Sequence, residues 1–157
     1  VLKISYLKGD ATCPQAKGQK IIAHVCNDIG GWGRGFVLAL SAKWPEPEAS
    51  YREWYNGGDG FALGKIQVVR CDQHTSVANM VAQHGVKAGS KGPPIRYDAL
   101  DECLAALAEK ALADGASVHM PRIGCGLAGG KWDKVEPLLV ERLCKKDVGA
   151  YVYDLGG

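Results

Sequence analysis

A chain of 157 residues with 46% hydrophobic content can bury most of one core, so it is read as a single domain spanning residues 1–157 that needs no metal or disulfide staple. Its formal charge of +2 comes from 19 basic and 17 acidic residues scattered without blocks, which gives no phosphate-tracking surface and argues against a direct nucleic-acid partner. The longest apolar run, residues 36–40, is far short of the roughly 18 residues of a membrane span, and no signal-peptide pattern is present; a soluble, cytoplasmic monomer with no membrane partner is expected.

In chain order, residues 2–7 alternate apolar and polar as a strand does, and Lys8-Gly9-Asp10 closes it as a turn. Residues 21–25 form an apolar run suited to a strand buried on both faces. Gly30-Gly31-Trp32-Gly33-Arg34-Gly35 follows as a glycine loop. Residues 34–44 then read as a helix stopped by Pro45, and residues 48–55 as a second short one. Residues 63–70 and 76–82 read as two strands joined by a polar turn around Asp72. The stretch 85–94, rich in Gly and Pro, is long for a compact domain and is expected to be a mobile loop beside the site. Leu100, Cys103, Leu104, Leu107, Ala111 and Leu112 recur at helical spacing until Gly115. Residues 117–120 form a strand that runs into Pro121-Arg122-Ile123-Gly124-Cys125-Gly126-Leu127-Ala128-Gly129-Gly130, a second glycine loop. Asp133-x-x-Glu136 resembles a capping box ahead of Val135, Leu138, Leu139 and Leu143, where Pro137 fits only in the first turn. Residues 148–155 make the last strand. Strands alternating with helices indicate an α/β layered fold whose ligand site lies beyond the carboxyl ends of the strands.

Six cysteines are present, at 13, 26, 71, 103, 125 and 144, with no C-x-x-C spacing; reduced thiols are the better reading, and no metal site or cofactor is expected. Gly124 to Gly129 satisfies G-x-G-x-x-G, but a dinucleotide fingerprint opens the first βα unit of its fold, whereas this one lies in the last third of the chain. A glycine loop after an apolar strand gathers backbone amides around a phosphate, because each missing side chain lets a ligand approach the backbone. Two such loops imply two phosphates, hence a diphosphate nucleotide. Asp10, just after the first strand, can accept a hydrogen bond from an exocyclic amine or simply cap a turn. His24 and His119 lie inside apolar strands and read as hydrogen-bonded core residues. Gln83 and His84 end a strand and should emerge at the ligand edge. The four tryptophans are chiefly packing residues, with Trp32 also placed to cover part of a ligand.

Taken together these residues resemble a macrodomain, nearly end to end. The subgroup is the one that contains a terminal ADP-ribose protein glycohydrolase and the macrodomain of a chromatin remodeller. Met120-Pro121-Arg122-Ile123-Gly124-Cys125-Gly126-Leu127 and Tyr6-Leu7-Lys8-Gly9-Asp10 are similar to the glycohydrolase; Gly31-Trp32-Gly33-Arg34-Gly35 and Val81-Ala82-Gln83-His84 are similar to the remodeller. The resemblance implies a three-layer α/β/α fold with a twisted mixed central sheet and an ADP-ribose cleft. By the same analogy Asp10 and Ala11 bind adenine, while Gly33, Gly35 and Phe36 hold phosphate through their amides, as do Gly124, Cys125, Gly126, Leu127 and Ala128, with Arg34 and Pro121 as further ligand-binding candidates. Asn27 and Asp28 lie near the distal ribose, and Tyr153 and Asp154 near the adenosine. The glycohydrolase's lysine nucleophile and loop aspartate fall on Gln83 and Ala128 in this chain. An amide is no nucleophilic amine and a methyl group transfers no proton, so that covalent route is not expected.

What the resemblance leaves is a hydrolase that removes ADP-ribose from acidic side chains of modified proteins by direct water attack, with Asn27, Asp28, Gln83 and His84 as its catalytic candidates. The alternatives are a non-catalytic reader of ADP-ribose or poly-ADP-ribose, and an ADP-ribose 1″-phosphate phosphatase. The hydrolase is favoured here because the chain reads as one domain with no attached effector. The expected partners are ADP-ribose and ADP-ribosylated proteins.

Overall fold

The computed structural model describes residues 2–87 and 92–156. Along them run β1 (Ser5–Lys8), β2 (Lys20–Asn27), α1 (Phe36–Lys43), α2 (Glu46–Gly57), β3 (Ile66–Arg70), β4 (Thr75–Gln83), α3 (Tyr97–Asp114), β5 (Ser117–Met120), α4 (Trp132–Arg142) and β6 (Ala150–Asp154). The six strands form one sheet in the order β1-β6-β5-β2-β4-β3. Every neighbouring pair is parallel except β3 against β4.

Side-chain alternation along β2 divides the molecule into three layers. Ile21 and Ala23 join Ala78, Met80, Val118, Met120 and Val152 in a core closed by Leu100, Leu104 and Leu107 of α3 and by Val135 and Leu139 of α4. The intervening Ile22 and Cys26 point the other way and pack with Val77 against Leu40 of α1 and Tyr51 of α2. Burial on both faces is why β2 and β4 read as nearly continuous apolar runs. The mixed α/β/α architecture expected from the resemblance is therefore the one present.

Several local expectations need correction. The first strand starts at Ser5, and α1 starts at Phe36, with Gly35 as its cap at φ 75°. Leu112 is 55% exposed, because it follows Ala111 by one residue and is rotated about 100° off the buried stripe of α3. No capping box forms at α4: its N-cap is Lys131, without a side-chain cap, and Asp133 sits in the first turn. Glu136 accepts instead from the Tyr6 hydroxyl. Pro137 stands in the second turn of α4, where it removes the amide that would reach the Asp133 carbonyl. Gly115 does end α3, in the left-handed region at φ 60°, and Ala116 N bonds back to Ala111 O at 2.8 Å. The hairpin between β3 and β4 turns at Asp72, whose Oδ1 accepts from His74 N at 2.9 Å. Part of the expected mobile loop at 85–94 lies outside the described residues. No helix among the described residues is long and apolar enough to cross a membrane.

Candidate functional site

The carboxyl ends of β2, β4 and β5 open onto one cleft of about 800 Å³, a size suited to a small-molecule ligand. Each of its walls is built by a loop that the sequence forces away from regular structure.

The first loop leaves β2 at Asn27, and the Asn27 side chain holds it. Its Oδ1 accepts from Ile29 N at 3.1 Å and Gly31 N at 2.9 Å, and its Nδ2 donates to Gly31 O at 2.9 Å. The buried Tyr51 hydroxyl braces the turn from α2, 2.6 Å from Asn27 O and 3.0 Å from Oδ1. Trp32 is buried beneath the loop, edge-on to His24 at 5.3 Å, and its Nε1 donates to Ser41 Oγ at 2.8 Å. The loop ends at Gly35 and delivers the N-terminus of α1 into the cleft. The first turn of α1 carries no acidic residue, whereas α2 places two there and α3 and α4 one each. Its partial positive end is left for an anion.

The second loop follows β5. Gly130 N closes it by donating to Gly124 O at 2.7 Å, and Gly126–Ala128 form a single 3-10 turn. Gly126 has φ 58° and open space where a side chain would go. Leu127 reaches across to the first loop, 3.4 Å from the place a Cβ on Gly35 would occupy, and is 62% exposed. The two loops thus face each other over the cleft.

Among the described residues the cleft is lined by the cations Arg34, Lys87 and Arg122 and by no carboxylate. Burial pushes the Cys125 thiol up, so this loop adds no thiolate charge. Burial also holds the His24 imidazole down to about 4, against the opposing hydrogen bond to Asn79 Oδ1 at 2.5 Å, and leaves it neutral on the cleft floor. The lining thus sets positive charge beside apolar side chains such as Phe36, Ile123 and Leu127, as suits an anion with an apolar part. No group of three or more metal-ligating side chains occurs among the described residues.

The residues singled out in the sequence fall into three places. Gly33, Arg34, Gly35, Phe36, Pro121 and Gly124 to Ala128 line the cleft, as do Asn27 and Gln83. Asn27, however, spends its side chain on the loop and on Tyr51, which makes it a scaffold. Asp28 and His84 lie beside the lining, on the β4 side, as a bonded pair: Asp28 Oδ2 meets His84 Nδ1 at 2.7 Å, and Asp28 Oδ1 accepts from Gly85 N at 2.8 Å. The His84 side chain is 62% exposed. Asp10, Ala11, Tyr153 and Asp154 lie outside the lining, at the ends of β1 and β6. Asp10 Oδ1 is engaged by Thr12 N at 2.8 Å and Thr12 Oγ1 at 2.7 Å, and the Tyr153 hydroxyl by Gln15 N and His119 Nδ1, both at 2.8 Å. Asp154 takes a two-pronged ion pair from Arg122 at 2.7 and 2.9 Å, which holds its carboxyl below the usual range.

Sequence reasoning passed over Arg122 and Lys87. Arg122 lies inside the second glycine loop, where no local pattern marks it, because its partners come from β1, β6 and α4.

A model of the family described as Macro domain matches residues 23–139. Among curated proteins, the chain is 35% identical over 159 residues to the chromodomain-helicase-DNA-binding protein 1-like of Danio rerio, covering 96% of this chain but only 15% of that protein. It is 25% identical to an ADP-ribose 1″-phosphate phosphatase of Lodderomyces elongisporus, covering 98% of this chain and 100% of the relative. It is also 25% identical to the human ADP-ribose glycohydrolase OARD1, covering 98% and 92%. Among solved structures, a Bacteroides thetaiotaomicron protein of unknown function superposes with TM-score 0.96 at 55% identity, over 98% of this chain and 99% of the other. A macrodomain protein from Streptomyces coelicolor does so with TM-score 0.88 at 50% identity, over 98% and 100%.

Proposed function

This chain belongs to the Macro domain family, and we propose that it binds ADP-ribose between its two glycine loops and hydrolyses the bond that joins an acidic side chain to the distal ribose. The observation that carries the reading is the cleft itself: two opposed glycine loops, the acid-free N-terminus of α1 and the cations Arg34 and Lys87, with no carboxylate in the lining. That arrangement suits a diphosphate, held by backbone amides from both sides. Arg34 and Lys87, which have no ion pair among the described residues, add charge from the rim.

With the diphosphate between the loops, the two ends of the ligand lie toward the two sides of the sheet. The β4 side offers the Asp28–His84 pair and Gln83, so the distal ribose belongs there. Asp28 accepts the Nδ1 proton of His84 and fixes the tautomer in which Nε2 is a base. Nε2 takes a proton from a water, the water attacks, and the carboxylate of the modified side chain leaves. The Gln83 amide, held by a bond from its Nε2 to Gly85 O at 2.9 Å, positions the sugar. Its carbonyl oxygen remains as the acceptor. The β1 and β6 side takes the adenosine, next to Asp10, Ala11 and Tyr153. That relatives are named ADP-ribose 1″-phosphate phosphatase and ADP-ribose glycohydrolase supports cleavage at this sugar.

The test is release of ADP-ribose from protein modified at Glu or Asp, together with titration calorimetry. Micromolar binding, about −8 kcal/mol, is expected. His84→Ala should lower release by about 10²–10⁴-fold while leaving ADP-ribose affinity largely intact. Full activity in that variant would take His84 out of the mechanism. Tight binding without release from an ester or from the 1″-phosphate would identify a reader.

A further inference from the structure

Arg122 ends the cleft on the side away from His84, and its side chain is held in place by the protein around it. Its Nε and Nη2 already donate to both oxygens of Asp154, at 2.7 and 2.9 Å. Two of its five N–H donors are therefore committed to the protein itself. The guanidinium carbon lies 5.2 Å from the Tyr6 ring centroid and 5.0 Å from that of Trp132, within the range of cation–π attraction. Those two rings meet nearly edge to face, 6.4 Å apart at 75°, and Trp132 Nε1 donates to the Tyr6 hydroxyl at 3.0 Å, which in turn donates to Glu136. Four elements thus converge to fix one planar group: β1, β6, α4 and the loop after β5.

The group is held but not covered. The Arg122 side chain is 40% exposed, and it contributes to the lining of the cleft. A guanidinium whose charge is offset by a carboxylate and whose plane is held by aromatic rings is suited to stacking on another planar π-system. In sheet order, Arg122 and Asp154 lie on the β5 and β6 side of the glycine loops, and Gln83 lies on the β4 side. A diphosphate seated between the loops sends its base toward Arg122. We propose that Arg122 is the plate on which the base of the bound nucleotide stacks, and that it sets a preference for purine over pyrimidine through the larger ring overlap. This inference rests on the reading of the cleft as an ADP-ribose site.

The experiment compares ADP-ribose with UDP-ribose, which share the diphosphate and distal ribose and differ only in the base, by calorimetry on the intact protein. The native chain should bind ADP-ribose more tightly by about 3- to 30-fold. Arg122→Lys keeps the positive charge but has no plane; it should shrink that preference toward parity by lowering ADP-ribose affinity more than UDP-ribose affinity. Trp132→Leu, which frees the guanidinium from one ring, should shrink the preference in the same direction by a smaller factor. A native protein without purine preference, an Arg122→Lys variant that keeps the full preference, or one that weakens both ligands equally would each overturn the stacking role. Failure of the native protein to bind either ligand would instead overturn the ADP-ribose reading beneath it, a result visible before any variant is made.

Discussion

Each of the two glycine loops divides into glycines that the protein's own packing requires and glycines left open to the cleft, in different proportions. In the first, a Cβ on Gly30 would lie 2.5 Å from the Tyr55 ring and one on Gly31 2.9 Å from Asn27 Nδ2, whereas Gly33 has nothing within 4 Å and Gly35 meets only Leu127; hydrogen bonds made by Asn27 and Tyr51 hold the shape of that loop. In the second, a Cβ on Gly130 would lie 2.2 Å from Gly124 O, one on Gly129 2.6 Å from Pro93, and one on Gly124 3.0 Å from Ile95. There glycine is required by packing, and Gly126 alone in the tight turn opens toward the cleft. A glycine motif therefore says that backbone is approached closely, but not whether by a ligand or by the protein itself.

The sharpest way to test that difference is Gly130→Ala. The methyl group collides with a backbone carbonyl that cannot swing aside, so the second loop must open, at a cost of about 3–5 kcal/mol. Chemical denaturation should show the loss. If the variant is as stable as the native protein, the packing account of the second loop is wrong.

Acid should act on the first loop. His24 supports Trp32 and Phe36, with ring centroids at 5.3 and 6.1 Å, and burial holds it neutral with a pKa of about 4. An unfolded histidine titrates near 6.5. Between those values the unfolded chain binds a proton that the native chain refuses, so stability falls as pH drops, by about 3 kcal/mol once pH 4 is reached. His119, also lowered by burial to about 4, adds in the same direction. Urea titrations at pH 7, 5.5 and 4 should show the decline, and His24→Gln should make it shallower. An unchanged slope in that variant would clear His24 of the effect.

Tyr51→Phe removes the hydroxyl that braces Asn27 and leaves a buried carbonyl short of a donor. A loss of about 1–2 kcal/mol is expected, with weaker ADP-ribose binding through a looser first loop. Stability loss with full affinity would mean that the loop holds its shape without α2. The smallest effect belongs to Gly33→Ala: with open space at that position, stability should stay within about 0.5 kcal/mol of native, so any fall in ADP-ribose affinity, read by calorimetry, reports contact with ligand. Unchanged affinity would move the phosphate away from Gly33.

Much of the fold was legible because local periodicity and burial agree. The doubly buried β2 and β4, the α3 stripe from Leu100 to Ala111 and its stop at Gly115 follow from spacing alone. Boundaries were less so. Asp133 and Glu136 have the spacing of a capping box, yet Glu136 is claimed by Tyr6, 130 residues away; a partner that distant in sequence outweighs the local one and leaves no trace in the motif.

Candidate site residues divide along the same line. Glycine loops after apolar strands are local patterns, and the sequence alone placed both of them on the cleft together with Gln83. The pairing of Asp28 with His84, 56 residues apart, the diversion of Asn27 into the first loop and the clamping of Arg122 between Tyr6, Trp132 and Asp154 were decided by tertiary structure. The sequence determines which residues can bend the chain or carry charge, because conformational freedom and ionisation belong to each residue. Which of them meet is set by the strand order β1-β6-β5-β2-β4-β3, which brings the ends of the chain beside its middle and exists only once the whole sheet has formed.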